Sequence, residues 1–120
     1  MQINVNSDKP IFMQIAEGIE DAILSGAFPE DSQVPSITEF STTYKINPAT
    51  ALKGINILTD SGILYKKRGL GMFVSTGAVA KLHEKRKEQF YSNYVEKTIH
   101  EAKRLSISCN ELHNMIDENY

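Results

Sequence analysis

The side chains best suited to chemistry in this sequence are bases and amides, and they fall in two short runs. The first is Asn47-Pro48-Ala49-Thr50 with Lys53, and the second is Lys66-Lys67-Arg68-Gly69-Leu70-Gly71. Neither sets a nucleophile beside a base. Both are suited to holding an anion: lysine and arginine neutralise phosphates, amides and hydroxyls donate to phosphates or read base edges, and glycine lets a backbone approach closely. The charge distribution agrees. Residues 40–75 carry Lys45, Lys53, Lys66, Lys67 and Arg68 against Asp60, a net of +4, whereas residues 1–39 carry one lysine against seven acids, a net of −6. Residues 76–120 carry seven charges of each sign, so the overall −2 conceals a local positive region of the kind a polyanion needs.

Other constellations exclude more than they offer. His83, His100 and His113 are far apart in sequence. Cys109 and His113 are four apart and can share one face of a helix, but no further ligand accompanies them, so no metal and no cofactor is expected. Gly69-Leu70-Gly71 is too short for a nucleotide-binding fingerprint and lacks its strand-then-helix setting. The expectation is a protein that is not an enzyme. A single cysteine, Cys109, cannot form an internal disulfide and fits a reducing compartment. Met1 to Asn6 does not read as a secretory leader, and no apolar run approaches the roughly 20 residues a membrane span needs. A cytoplasmic protein without a membrane partner is therefore expected.

The two runs need elements to position them. Pro10 suits a helix start, and Ile11, Ile15, Ile19 and Ile23 follow at four-residue spacing, with Gly26 placed for a left-handed stop. Ser36-Ile37-Thr38-Glu39 is a capping box that opens a short second helix ending near Tyr44. Asn47 and Pro48 are a favoured N-cap and first-turn pair, so a third helix starts three residues later, with Ala51, Leu52, Ile55 and Leu58 as its core stripe. Two helices so tightly joined form a helix-turn-helix. After Gly62 the pattern becomes strand-like: Ile63 to Lys67, a turn at Arg68 to Gly71, then Met72 to Ser75, with Ile3 to Val5 as a candidate third strand. A hairpin directly after the third helix is a wing. From about Ala78 a long helical pattern begins, and Ser108-Cys109-Asn110-Glu111 opens a last helix through a second capping box.

The expected fold class is thus α+β, mainly α. A winged helix-turn-helix domain over residues 1–76 precedes a two-helix tail over residues 77–120. The third helix would enter a major groove by its N-terminal end, which nominates Asn47, Ala49, Thr50 and Lys53, with Ser36 and Lys45 flanking the same face. In the wing, Lys66 and Lys67 would neutralise phosphates, Arg68 would enter the minor groove, and Gly69 and Gly71 would allow the tight turn. Asn47 and Ser36 serve as helix caps whether or not they touch DNA. The tail's apolar residues, Phe90, Tyr94, Ile99, Leu105, Leu112, Met115 and Ile116, exceed what two helices alone can bury. A homodimer through this surface is expected, and with it a pseudo-palindromic double-stranded operator.

Residues 8–75 resemble the GntR family of winged-helix regulators. The likeness rests on Pro10-Ile11-Phe12-Met13-Gln14-Ile15, on Gly26 with Val34-Pro35-Ser36, on Ile46-Asn47-Pro48-Ala49-Thr50, and on Gly62-Ile63-Leu64 running into Arg68 to Val74. The Asn47-Pro48-x-Thr50 start, with about 45 residues after the wing, is similar to the YtrA subfamily, whose short helical tail makes a dimer. The resemblance implies a repressor. Two arginines common in the family are absent, with Thr38 and Pro48 at their positions, which places more weight on Lys53 and the wing. The tail is too short for a separate sensory domain, so a small-molecule effector, of unknown identity, would need a pocket at the dimer interface or between domain and tail. A different function class, a winged helix that contacts proteins and has no specific DNA site, draws on the acidic first helix, the net negative charge and the missing arginines. Salt dependence separates the two, because phosphate-driven binding weakens steeply as salt rises.

Overall fold

Four-residue spacing of isoleucines organises the first helix, α1 (Ile11–Leu24), in the computed structural model, which describes residues 1–120. Ile15, Ile19 and Ile23 are buried along one stripe, and Pro10 stands one residue before the helix as its N-cap. Helix α2 (Ile37–Tyr44) opens on the capping box: Ser36 Oγ accepts from the Glu39 N–H at 3.1 Å, and Glu39 Oε1 accepts from the Ser36 N–H at 3.1 Å. It buries Phe40 and ends on Lys45, which adopts a left-handed φ of 54°. Helix α3 (Pro48–Asp60) starts where Asn47 Oδ1 accepts from the Ala49 N–H at 2.8 Å.

Helix α3 buries Ala51, Gly54, Ile55 and Leu58. Gly54 sets its contact with α1: a Cβ there would lie 2.7 Å from the Phe12 carbonyl oxygen, so only glycine permits the approach. This contact also corrects the expected core stripe. Leu52 is 43% exposed rather than buried. Successive residues turn by about 100°, and burying Gly54 draws the packed stripe to the far side of Ala51, leaving Leu52 rotated about a third of a turn away from it.

Strands β1 (Leu64–Lys67) and β2 (Gly71–Val74) pair antiparallel, with Leu64 opposite Val74 and Lys67 opposite Gly71. Leu64 and Val74 close the core beneath the helices. The third lane of this sheet is not Ile3 to Val5, where the Asn4 N–H instead donates to Gln14 Oε1 at 2.8 Å. It is the segment before α2. The Asp31 N–H donates to the Val74 carbonyl at 2.8 Å, Val74 N–H to Ser32 at 2.9 Å, and Val34 N–H to Met72 at 2.9 Å.

Helix α4 (Ala78–Phe90) begins at the composition shift, but Ala78 and Leu82 are fully buried in the same core as α1 and α3. The compact units are accordingly Met1–His83 and Glu84–Tyr120. In the second unit a π-helical turn, Tyr91–Val95, leads into α5 (Glu96–Arg104). The wide turn holds one extra residue and so shifts the faces of α5 relative to those of α4. Ser106, at a φ of 58°, reverses the chain, and α6 (Cys109–Asn119) opens on the second capping box, with Ser108 Oγ accepting from Glu111 N–H at 3.1 Å. Ala102 is the unit's buried residue. No helix of the chain is long and apolar enough to cross a membrane.

Candidate nucleic-acid interface

Helix α3 has one face against α1 and the opposite face open. Ala49, Leu52, Lys53 and Asn56 are exposed on it, and their spacings of three, four and seven residues place them side by side over two turns. Asn47 and Pro48, also exposed, stand at its leading end, and Thr50 is half-buried beside them. The Lys53 ammonium lies 4.1 Å from the centre of the Phe12 ring. That contact holds its long chain across the start of α1 while leaving its charge on the surface.

The wing is built by alternation. Leu64 and Val74 point into the core, while Tyr65 and Phe73 stack on the other side with ring centroids 5.9 Å apart. Lys67 Nζ caps that pair, 4.3 Å above Phe73 and 5.8 Å from Tyr65. Lys66 belongs to the opposite face and lines a cleft of about 500 Å³ shared with Ser36, Ile37, Leu52, Asn56 and Leu70. Arg68 and Gly69 are exposed at the tip. Gly71 is obligatory in this turn: its φ is 121°, and a Cβ would come 2.7 Å from Gln33 Nε2. The same Gln33 nitrogen donates to the Leu70 carbonyl at 2.6 Å, tying the turn to the third lane of the sheet.

The nominated residues therefore form two surfaces of the first unit. Asn47, Ala49 and Lys53 share the open side of α3, and Lys66, Lys67, Arg68 and Gly69 form the wing and its tip. Ser36 caps α2 at the edge of the shared cleft, and Lys45, exposed, ends α2 just before the turn into α3. Sequence reasoning missed Asn56 and Gln33, and it placed Leu52 in the core. Asn56 was reachable, since it stands seven residues from Ala49. Gln33 had no local signal, because its partner is 37 residues away. In the second unit, Phe90 and Tyr94 pair with ring centroids 5.8 Å apart, and Ile99, Leu105, Met115 and Ile116 are exposed while Leu112 is half-buried.

A short helix, a tight turn, a second helix with an open face and a basic hairpin together define a winged helix-turn-helix of the DNA-binding class. No protein-family model matches the chain. A solved GntR-family transcriptional regulator from Bacteroides thetaiotaomicron is 35% identical, superposes with a TM-score of 0.78, and is matched over 90% of this chain and 94% of that one. The transcriptional repressor YtrA of Bacillus subtilis is 29% identical over 118 residues, 98% of this chain and 90% of that protein. The repressor NagR of Bacillus subtilis is 35% identical over 75 residues, but the chain spans only 31% of its length. The DNA-binding domain of AraR, solved in complex with its operator, is 27% identical with a TM-score of 0.56, covering 62% of this chain and 93% of that one. The chain belongs to the GntR family, and it is a DNA-binding transcription regulator with likeness to YtrA along nearly its whole length.

Proposed function

We propose that the protein is a dimeric repressor that recognises a pseudo-palindromic operator. The observation that carries this reading is the open face of α3 beside a wing bearing Lys66, Lys67 and Arg68. Helix α3 enters the major groove by its N-terminal half. Asn47, Ala49, Thr50, Lys53 and Asn56 meet base edges or phosphates there, with the first-turn amides oriented towards phosphate. Ser36 and Lys45 contact the backbone at the margin. The wing follows the adjacent strand: Lys66 and Lys67 neutralise phosphates, and Arg68 at the tip reaches the minor groove.

The second unit supplies the two-fold. Phe90, Tyr94, Ile99, Leu105, Leu112, Met115 and Ile116 pack against the same surface of a second chain, which buries apolar area that one copy leaves in water. Two-fold pairing places two copies of α3 on half-sites separated by about one helical turn or a multiple of it. Repression follows from occupancy, in keeping with the similarity to the repressors YtrA and NagR. The regulator's work is done by binding and not by catalysis, in a compartment where DNA is present. Fluorescence anisotropy against DNA upstream of the protein's own gene, and against scrambled DNA, at two salt concentrations tests the reading. Preference for the upstream sequence with steep salt dependence supports it; absence of binding to any duplex at low salt refutes it.

A further inference from the structure

Leucine is an unexpected residue at the centre of a surface made to meet a polyanion. Leu52 lies between Ala49 and Asn56 on the open side of α3, in the fifth position of the helix, where a side chain reaches the floor of a groove that the helix enters. It is not an isolated apolar spot. Together with Ile37, Leu70 and Met72 it lines the cleft between α2, α3 and the wing, whose polar margin is Ser36, Thr38, Asn56 and Lys66. Lys66 brings a positive charge to its margin, and Lys53 follows Leu52 on the open side of α3. The occupant of this cleft must be negatively charged at its rim and apolar at the point that meets Leu52.

Duplex DNA offers one apolar group in the major groove, the 5-methyl of thymine, and phosphates line both sides of it. We infer that Leu52 is a specificity-determining residue that packs against a thymine methyl in each half-site. The inference rests on the DNA-reading function proposed above and deepens it. An arginine or glutamine at this position would donate to a base or phosphate; leucine can do neither. Its gain comes from excluding water between two apolar groups, and a cytosine or deoxyuridine at the same place leaves it facing an unfilled gap. Asn56, one turn further on, can add a bidentate contact to an adenine nearby, but the methyl reading depends on Leu52 alone.

The test uses the full chain. An operator is first obtained by selection from a random duplex library, and each thymine of one half-site is then replaced singly by deoxyuridine, which removes the methyl and nothing else. Affinity of the unmodified protein should fall about fourfold at one thymine per half-site, the effect of losing one buried methyl-sized group. Leu52→Ala should bind more weakly to the thymine duplex, keep the same salt slope, and show no further loss with deoxyuridine at that position. Leu52→Gln should likewise lose the methyl response. Tolerance of every deoxyuridine by the unmodified protein would overturn the inference without any variant, and so would an equal methyl penalty in Leu52→Ala. Such results, with specific binding intact, leave the regulator in place and remove only this contact. A library that enriches no sequence would refute the DNA-reading function and this inference with it.

Discussion

Asn47 offers a way to separate folding from recognition at a single position. Its side-chain oxygen accepts from the Ala49 N–H at 2.8 Å and so caps α3, while its exposed position at the leading end of that helix places it beside the proposed DNA backbone. Asn47→Ala removes the cap. Loss of an N-cap of this kind costs about 1 kcal/mol, which lowers the melting temperature of a unit of this size by about 4–8 °C. Asn47→Asp keeps the cap, because aspartate accepts the same bond and its charge suits a helix N-terminus. Its melting temperature should equal or slightly exceed the parent's. On DNA the order reverses. A carboxylate at about 6 Å from one phosphate costs between about 0.7 kcal/mol at the dielectric constant of water and about 2.8 kcal/mol at an effective value of 20, a loss of roughly 3- to 100-fold. Thermal melts and operator titrations on the three proteins read both effects. Parent-like operator affinity in Asn47→Asp would refute the placement of α3's leading end against phosphate, and an unchanged melting temperature in Asn47→Ala would refute the cap.

Three further perturbations probe the wing and the tail. Replacing Lys66 and Lys67 together by alanine should make the slope of log affinity against log salt shallower by about 1.8 if each neutralises one phosphate, as salt titrations would read. Gly71→Ala forces a φ of 121° on a residue with a Cβ and drives that atom to within 2.7 Å of Gln33 Nε2, so it should destabilise by about 1–3 kcal/mol in denaturant melts. Gly69→Ala, with a φ of 81° but open space around it, should cost less than Gly71→Ala. Tyr94→Glu alters a side chain that is 65% exposed, so the protomer should still fold while sedimentation shows a shift to monomer and operator affinity falls.

The local structure of the interface was legible because capping is written in short range. Ser36 with Glu39, Asn47 with Ala49, and Ser108 with Glu111 each fix a helix start with partners two or three residues apart, and each is where its residue types require. What failed to read were features decided by packing. The exposure of Leu52 depends on how closely α1 approaches Gly54, and no periodicity of apolar residues weighs a glycine correctly. Ser32 to Val34 form the third lane of the wing sheet through partners about 40 residues away, flanked by Pro29 and Pro35 and without the alternation of a strand. Ala78 and Leu82 extend the first unit past the composition shift because their side chains meet the core, with Val79 packed against it. The wing's basic run and glycines were plain from the sequence. Its anchoring by Gln33 was not, since that contact exists only once the hairpin has folded.

Dimethyl sulfate footprinting of the full chain on its selected operator separates the contacts of α3 from those of the wing, because it reports the two grooves separately through guanine N7 and adenine N3. A dimer reading DNA through α3 and the wing should give two patches of major-groove protection related by a dyad, spaced by about one helical turn or a multiple, each flanked by minor-groove protection where the wing tip lies. A single undivided patch, protection confined to one groove, or none beyond that given by competitor DNA would contradict it.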